Sequence, residues 1–182
     1  MEKIKVGVIN KALKILKQQG LIVFPSDTVY GLLTDATSCQ AVKKLIAFKD
    51  RPAGKPISVF VDSFSMLKNI VYVNKKQEKI LKSILPGPFT VILKSKKKVC
   101  PLLESEEGTL GVRLIKYDLV NELVKHFKKP LTATSANISG HPPCHSIKSF
   151  LNQIPKNKRQ LIDLIIDIGQ LPKNKPSTVI DL

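Results

Sequence analysis

The sequence has no tryptophan, few aromatic residues and only 14 acidic side chains against 30 lysines and arginines in 182 residues. Aromatic residues make up 5% of the chain, so the stacking platforms that single-strand RNA binders combine with basic residues are not apparent. The formal net charge of +16 would still attract polyanions such as nucleotides or RNA. The composition therefore favours an anionic partner and weakens a pure RNA-binding function.

Long apolar runs are also missing from the sequence. Lys3, Lys5 and Lys11 interrupt the first segment, which argues against a signal peptide, and lysines break up the later apolar stretches. We therefore expect a cytoplasmic protein without a membrane partner. A chain of this length normally buries one core, so we predict a single domain over residues 1–182.

Cysteine is scarce, and its three positions, Cys39, Cys100 and Cys144, lie far apart. The odd number and the absence of metal-ligand spacing predict neither a disulfide framework nor a zinc site. We therefore expect reduced, partly buried thiols.

Several familiar catalytic patterns are absent as well. No glycine and lysine loop of the Walker type occurs, and no paired carboxylates form a motif. The histidines, His126, His141 and His145, fall on a helix end and in a loop without an evident acid or base partner. The sequence therefore offers no nucleophile and base pair and no metal-ligand set.

Apolar residues are spaced as in a chain that mixes helices and strands without strict alternation. The predicted helices are 10–19, one capped by Thr37 or Ser38 that ends near Asp50, 77–84, 118–127 and 147–153, and the predicted strands are 21–24, 57–61, 89–93, 110–115, 131–134, 164–168 and 178–180. This pattern predicts an α/β fold with a twisted, mixed sheet.

Residues 25–31 (PSDTVYG) follow a predicted strand directly. Their hydroxyls and carboxylate would project from the strand end, where α/β sheets usually place ligands. The alternative is a hydroxyl-rich turn in which Ser26 or Asp27 caps backbone N–H groups.

Arginine is rare here, because 27 of the 30 basic residues are lysine. An arginine therefore suggests a need for the planar fork that grips a carboxylate or phosphate twice. Arg51 lies in residues 49–56 (KDRPAGKP), which could hold a polyphosphate and neutralise a pyrophosphate leaving group, or could be an exposed basic turn. Arg113 lies on an apolar strand, so it requires either a structural ion pair or a substrate carboxylate.

Residues 132–140 (TATSANISG) place small and polar side chains directly after a strand. Small residues let a ligand approach the backbone, while Ser135 and Asn137 could donate to phosphate or ribose oxygens. A polar turn stabilised by its own side chains is the alternative.

Six segments taken in order resemble the YrdC-like family of threonylcarbamoyl-AMP synthases. They are 25–32 (PSDTVYGL), 49–52 (KDRP), 85–90 (LPGPFT), 111–113 (GVR), 134–140 (TSANISG) and 177–181 (STVID). The resemblance covers nearly the whole chain. It implies a YrdC-like (RibB-like) α/β fold, with a twisted sheet and a positively charged concave face.

The resemblance also implies an activity. Members make threonylcarbamoyl-AMP and pyrophosphate from L-threonine, bicarbonate and ATP, for threonylcarbamoyladenosine at position 37 of tRNA. Mg²⁺ would be bound chiefly through the nucleotide. The implied partners are tRNA and the tRNA threonylcarbamoyl-transferase proteins that act downstream.

On the threonine side, the resemblance implies that Thr28 and Ser177 contact threonine and that Arg113 takes its carboxylate. Tyr30 would form a wall of the pocket. On the nucleotide side, Lys49 and Arg51 would act on the phosphates as catalytic residues. The other implied ATP-binding residues are Lys55, Thr109, Ala133, Ser135 and Asn137.

The chain departs from the family pattern at a few positions. Members often have Thr-Glu at Ser26-Asp27, and many carry a histidine near Phe60, so some threonine contacts are expected to differ. Many relatives continue past Leu182 with a phosphate-binding arginine, so we expect this chain to close its site without that segment. The rival functions are a YrdC-like protein that makes another carbamoyl adenylate or has lost synthase activity, and an RNA-binding module for tRNA or ribosomal RNA.

Overall fold

The computed structural model of the protein describes residues 2–52 and 54–182, with side chains from residue 6 onward. Apolar stripes flanked by lysines form the helices. Their bounds are α1 (Glu2–Lys17), α2 (Cys39–Lys49), α3 (Phe64–Ile70), α4 (Lys75–Ile84), α5 (Asp118–Phe127), α6 (Ile147–Gln153) and α7 (Lys156–Arg159), with a 3₁₀ turn at Pro101–Leu103. None of these helices combines the length and the apolar character needed to cross a membrane.

Short apolar segments form one eight-stranded sheet in the order β7-β1-β2-β6-β3-β5-β4-β8. The strands are β1 (Ile22–Pro25), β2 (Tyr30–Leu33), β3 (Ser58–Phe60), β4 (Phe89–Lys94), β5 (Thr109–Arg113), β6 (Leu131–Ser135), β7 (Leu164–Ile165) and β8 (Thr178–Asp181). The pairs β1–β7, β3–β5 and β4–β8 are parallel and the others antiparallel. The predicted α/β fold with a twisted, mixed sheet is confirmed.

The sheet packs against helices on both faces. One face lies under α2, where Leu45 and Phe48 are fully buried and the Phe48 ring stacks on Phe150 at 6.1 Å between centroids. The other face is covered by α1 and α5. Phe60 belongs to that second cluster and also lines a cavity beside it, so the cavity lies where the two helices leave the face open.

Several predicted elements are confirmed and some bounds change. α5 and α6 have the predicted bounds, and Ser38 is the N-cap of α2, whose C-cap is Asp50. The predicted first helix begins at Glu2 rather than at residue 10, because the early lysines and Gly7 do not interrupt a helix. Helices α3 and α7 and the 3₁₀ turn were not predicted.

One strand predicted in the last part of the chain is longer than the strand in the structure. The strand predicted over 164–168 ends at Ile165, because the Tyr30 hydroxyl accepts from Ile168 N at 3.0 Å and donates to Gly169 O at 2.8 Å. These bonds pull the chain into a turn. Strand β2 was missed, because residues 25–31 were interpreted as a loop.

The cysteine prediction was wrong for two of the three residues. Cys39 and Cys100 form a disulfide with their Cα atoms 5.1 Å apart, whereas Cys144 is a free, buried thiol. The fold brings the pair together because Cys100 N donates to Ala36 O at 2.8 Å, beside the start of α2. The two cysteines have a sequence separation of 61, and the chain between them carries no pattern that indicates this contact.

Candidate active site

A pocket of about 420 Å³ occupies the open part of the sheet face beside α1 and α5. Its walls combine hydroxyl side chains, an arginine, a histidine and a few apolar groups, in the size range typical of ligand sites. The lining residues are Ser26, Thr28, Val29, Ser58, Phe60, Thr90, Arg113, Ala133, Thr134, Ser135, Pro143, His145, Asn174, Pro176, Ser177 and Val179. Five of the predicted site residues therefore line one pocket: Thr28, Arg113, Ala133, Ser135 and Ser177.

Arg113 ends β5 and is 8% exposed. Its Nη2 donates to Asp27 Oδ1 at 3.1 Å and to Oδ2 at 3.0 Å, and its Cζ lies 5.1 Å from the centroid of the Phe60 ring. Burial lowers the pKa of the guanidinium, and the Asp27 carboxylate opposes that shift. The structural ion pair considered from the sequence is therefore present. It uses only one nitrogen of the fork, and Nε is buried without a partner among the described residues.

The hydroxyls near Arg113 are held by local bonds. Ser26 Oγ donates to Val29 O at 2.7 Å and lies 3.5 Å from Thr28 Oγ1, which fixes the tight turn between β1 and β2. Ser177 Oγ lies 2.9 Å from Thr90 Oγ1, which joins the start of β8 to β4. The β1–β2 turn and the residue before β8 therefore both present hydroxyls to the same pocket.

Gly111 forms part of the close packing beneath the pocket. A Cβ at this position would lie 2.4 Å from Ser58 Oγ and 3.4 Å from a methyl carbon of Thr90. Because both neighbours line the pocket, the glycine in β5 lets β3 and β4 bring their hydroxyl side chains close together.

Lys49 lies outside this pocket, at the end of α2, and is 2% exposed. Its Nζ donates to Ser135 O at 2.7 Å, Asn137 O at 3.0 Å and Asn137 Oδ1 at 2.8 Å. Burial, with a smaller contribution from the Arg51 charge, lowers the pKa of Lys49 to about 7. Three acceptors around one nitrogen favour the protonated amine against that shift. Lys49 therefore holds the 135–137 loop in place.

Asn137 completes this arrangement. Its Oδ1 also accepts from Ser135 Oγ at 2.6 Å, and its Nδ2 donates to His141 O. The polar turn stabilised by its own side chains, considered from the sequence, is thus present, and Ser135 still reaches the pocket wall.

Arg51 and Lys55 lie elsewhere, around a second cavity of about 480 Å³ between the end of α2 and residues 101–106. Arg51 Nε donates to Lys55 O at 3.1 Å and Nη2 to Pro56 O at 2.6 Å. Glu104 and Glu106 also line this cavity. The structure therefore separates these two cations from the pocket that holds Arg113.

Two further predicted residues, Tyr30 and Thr109, do not line the pocket. Tyr30 is fully buried, and its hydroxyl lies against the turn at 167–169. Burial raises the pKa of this phenol. Thr109, at the start of β5, lies 2.8 Å from Ser105 Oγ through its hydroxyl.

Sequence reasoning missed several residues that line the pocket. Thr90 holds Ser177, and Asn174 Nδ2 donates to Asp27 O at 2.7 Å, which joins the segment before β8 to the 26–29 turn. His145 also lines the pocket. Thr90 lies in the 85–90 segment of the family resemblance, but no role was assigned to it there. No residue pattern marked Asn174 or His145, which contacts between distant parts of the chain bring to the pocket.

The fold and the pocket define an α/β protein with a ligand-sized pocket, in which an arginine and convergent hydroxyls suit a polar, anionic ligand. Residues 14–182 match the family model of the Sua5/YciO/YrdC domain, which is described as "Telomere recombination". The chain belongs to this family.

Named relatives agree with that assignment. The chain is 32% identical over 171 residues to the threonylcarbamoyl-AMP synthase of Psychromonas ingrahamii, covering 90% of this chain and 86% of that protein. The crystal structure of Pyrococcus abyssi Sua5 complexed with L-threonine superposes with a TM-score of 0.86 at 32% identity over 96% of this chain. The match covers 50% of that longer Sua5 chain. YciO of E. coli gives a TM-score of 0.83 at 28% identity, covering 96% of this chain and 84% of YciO.

Proposed function

We propose that this protein is a threonylcarbamoyl-AMP synthase that uses L-threonine, bicarbonate and ATP. The observation that carries the proposal is the placement of Arg113, Thr28 and Ser177 around one pocket. Arg113 lines the pocket and can donate from its guanidinium to a threonine carboxylate while Nη2 keeps Asp27. The similarity to a Sua5 that was crystallised with L-threonine supports the same ligand.

The chemistry needs positioning more than a protein nucleophile. The threonine amine takes up bicarbonate with loss of water to give a carbamate. One carbamate oxygen then attacks the α-phosphorus of ATP, and the bond from that phosphorus to the bridging oxygen of pyrophosphate breaks. The pocket holds hydroxyls and a cation, which suits orientation of two substrates and stabilisation of charge.

The nucleotide would lie along the 133–137 segment. Ala133 and Ser135 line the pocket, and Lys49 fixes the backbone beyond them through the three bonds described above. We propose that Lys49 keeps this segment in the conformation that receives the nucleotide. Arg51 would reach the phosphates by exchanging the carbonyls of residues 55 and 56 for phosphate oxygens, which make stronger, charge-assisted bonds with a guanidinium. Lys55 would add its charge beside Arg51.

Mg²⁺ would enter with ATP as part of the substrate. Among the described residues, no three His, Cys, Asp or Glu side chains lie close enough together to hold a metal ion. The phosphates of the nucleotide would supply its main ligands, as they commonly do for Mg²⁺. It would supply positive charge that offsets the phosphate charge when pyrophosphate leaves.

The test is pyrophosphate release by the purified protein with Mg²⁺ and ATP, with threonine and bicarbonate each supplied or omitted. We expect release only when both are present, and ¹⁴C from bicarbonate in an adenylate product. Release without threonine, or no release at all, would contradict the proposal. The first result would favour a different carbamoyl adenylate, and the second an inactive relative.

A contact with tRNA is a second proposal, supported by a separate cleft of about 690 Å³. Five lysines line it: Lys68, Lys98, Lys125, Lys128 and Lys129. Lysines in a cleft suit a phosphate backbone, whose binding weakens steeply with salt.

The test is tRNA binding at physiological salt by the wild type and by Lys125→Glu, with Lys79→Glu on α4 as the control. Equal binding by both variants would contradict this location. We also propose that tRNA threonylcarbamoyl-transferase proteins use the adenylate that this protein makes.

A further inference from the structure

A short irregular segment, the strap (residues 172–176), lies between two cavities. Asn174 and Pro176 line the pocket that holds Arg113, and both also line a neighbouring cavity of about 540 Å³. Thr28 is the other residue that the two linings share. Moving the strap would therefore open the pocket toward the second cavity.

The chain is anchored on both sides of the strap. Leu171 is buried, and its N donates to His145 O at 2.7 Å. On the other side, Thr178 N donates to Pro88 O at 3.0 Å, where β8 begins. The strap can therefore move between two fixed ends.

The strap itself is held weakly. All of its residues are exposed, and none belongs to a helix or a strand. Among the described residues, a single hydrogen bond joins it to a distant part of the chain, from Asn174 Nδ2 to Asp27 O at 2.7 Å. Segments with an exposed backbone and few contacts open locally at low cost. One side-chain bond is thus the main contact that keeps the strap closed.

The acceptor of this bond is also the partner of Arg113. Asp27 accepts from Asn174 through its main-chain oxygen and from Arg113 Nη2 through its carboxylate. The strap is therefore tied to the residue that holds the arginine, on the side of the pocket where threonine would bind.

A ligand in the pocket would contact Asn174 and Pro176 only while the strap is closed. Such a difference in contacts is what a ligand needs to shift the strap toward the closed state. We propose that Asn174 is a positioning residue for the substrates: its bond to Asp27 holds the strap across the pocket, and the strap opens to admit the substrates and closes over them. This inference rests on the proposed synthase function.

Trypsin can report the opening of the strap. The strap contains one bond that trypsin cuts, between Lys173 and Asn174, because Pro176 follows Lys175. When opening and closing are fast, cleavage follows the population of the open state. The rate of this cut, measured by mass spectrometry, is divided by the rate for the same bond in a free peptide of the same sequence.

The test compares Asn174→Ala and Asn174→Leu with the wild type. Both variants lose the Nδ2 donor, while leucine keeps a branched side chain of similar size. We expect both to raise the normalised rate about 2- to 10-fold, as the loss of one hydrogen bond predicts. Asn157→Ala, at an exposed position in α7, is the matched control and should leave the rate unchanged.

The substrates should have the opposite effect on the wild type. With threonine and ATP at about ten times their dissociation constants, an opening that releases them should slow the cut about 10-fold. In Asn174→Ala, the KM for threonine should rise about 2- to 5-fold, because the closed state is less populated. The kcat should stay within about 2-fold of the wild-type value, since saturating substrates close the strap.

The outcomes separate this inference from the proposed function. An unchanged rate in both Asn174 variants would overturn the inference, and so would a faster cut in alanine alone, which indicates packing rather than a bond. Binding of threonine and ATP that leaves the wild-type cut unchanged would also overturn it. Protection by the ligands without pyrophosphate release, with faster cutting of both variants, would uphold the inference and refute the synthase function. A wild type that binds neither ligand would overturn both.

Discussion

Two groups of predicted site residues differ in how the fold positions them. The first, the strand-end group, consists of Thr28, Arg113 and Ser177, each in a strand or beside the end of one. The second, the loop group, consists of Lys49, Arg51 and Lys55 at and after the end of α2.

The strand-end group meets in one pocket, because the sheet ladder fixes where each strand ends. In the loop group, Lys49 and Arg51 instead donate to backbone carbonyls: Lys49 to those of residues 135 and 137, and Arg51 to those of residues 55 and 56. The comparison shows that strand ends can direct polar side chains into one pocket. The cations at and after the end of α2 instead form hydrogen bonds with backbone carbonyls.

The largest effect is expected from the Cys39–Cys100 disulfide, which joins α2 to the segment that forms the far wall of the Arg51 cavity. A cross-link that closes a loop of this size stabilises by about 4 kcal/mol, so reduction should lower the free energy of unfolding by that amount. Urea unfolding with and without reductant measures it. The double variant Cys39→Ser, Cys100→Ser is the control and should not respond to reductant; an equal response would refute the assignment.

The pH dependence of the free energy of unfolding tests whether burial lowers the pKa of Lys49, a member of the loop group. Its pKa is about 7 in the folded protein against an ordinary 10.5. Between those values the unfolded chain binds a proton that the folded protein lacks, so the contribution of Lys49 to stability rises with pH and is lost as the pH falls to about 7. We expect the free energy of unfolding of the wild type, relative to Lys49→Met, to rise by about 1 kcal/mol per pH unit near pH 8 to 9. Urea unfolding of both proteins at several pH values measures the difference, and a difference independent of pH would show that Lys49 stays charged.

Arg113→Lys tests the strand-end group directly. Lysine keeps the charge and loses the planar fork, so the KM for threonine should rise about 10-fold, equivalent to about 1.4 kcal/mol. The KM for ATP should change little. Arg51→Lys is the matched change in the loop group and should act on the KM for ATP instead. An unchanged threonine KM in Arg113→Lys would refute the role of Arg113.

The smallest effects come from two glycines. Gly111→Ala would force the Ser58 side chain to move and should lower the free energy of unfolding by about 1 kcal/mol. Gly7→Ala, in an exposed position of α1 with no atom within 4 Å of the new Cβ, should raise it by about 0.5 to 1 kcal/mol. Thermal unfolding compares them, and the same sign for both variants would mean that the Gly111 packing is looser than described.

The sequence was sufficient where structure depends on local pattern. The amphipathic segments gave α5 and α6 with their bounds, and a serine gave the cap of α2, because periodicity and capping act over a few residues. Strand β2 was missed because its four residues, 30–33, are defined by pairing with β1 and β6 rather than by their own pattern.

The candidate site divides in the same way. The motifs and the family resemblance predicted five site residues that line one pocket: Thr28, Arg113, Ala133, Ser135 and Ser177. Their roles toward threonine and ATP stay predictions, as do the single domain and the positive charge of the concave face. The side-chain positions of Lys49 and Arg51 could not be predicted, because they depend on hydrogen bonds with backbone groups distant in sequence or within an irregular loop.

The bond between Thr90 and Ser177 has a consequence for how the protein is made. Thr28 belongs to the first part of the chain to leave the ribosome, whereas Ser177 precedes β8, a strand at the edge of the sheet that pairs with β4. Folding during synthesis can assemble the inner strands first. The pocket still lacks one of its walls until residue 177 has been translated, so nascent chains cannot hold the ligand in the completed pocket, and a truncation before this residue should leave a sheet without a working site.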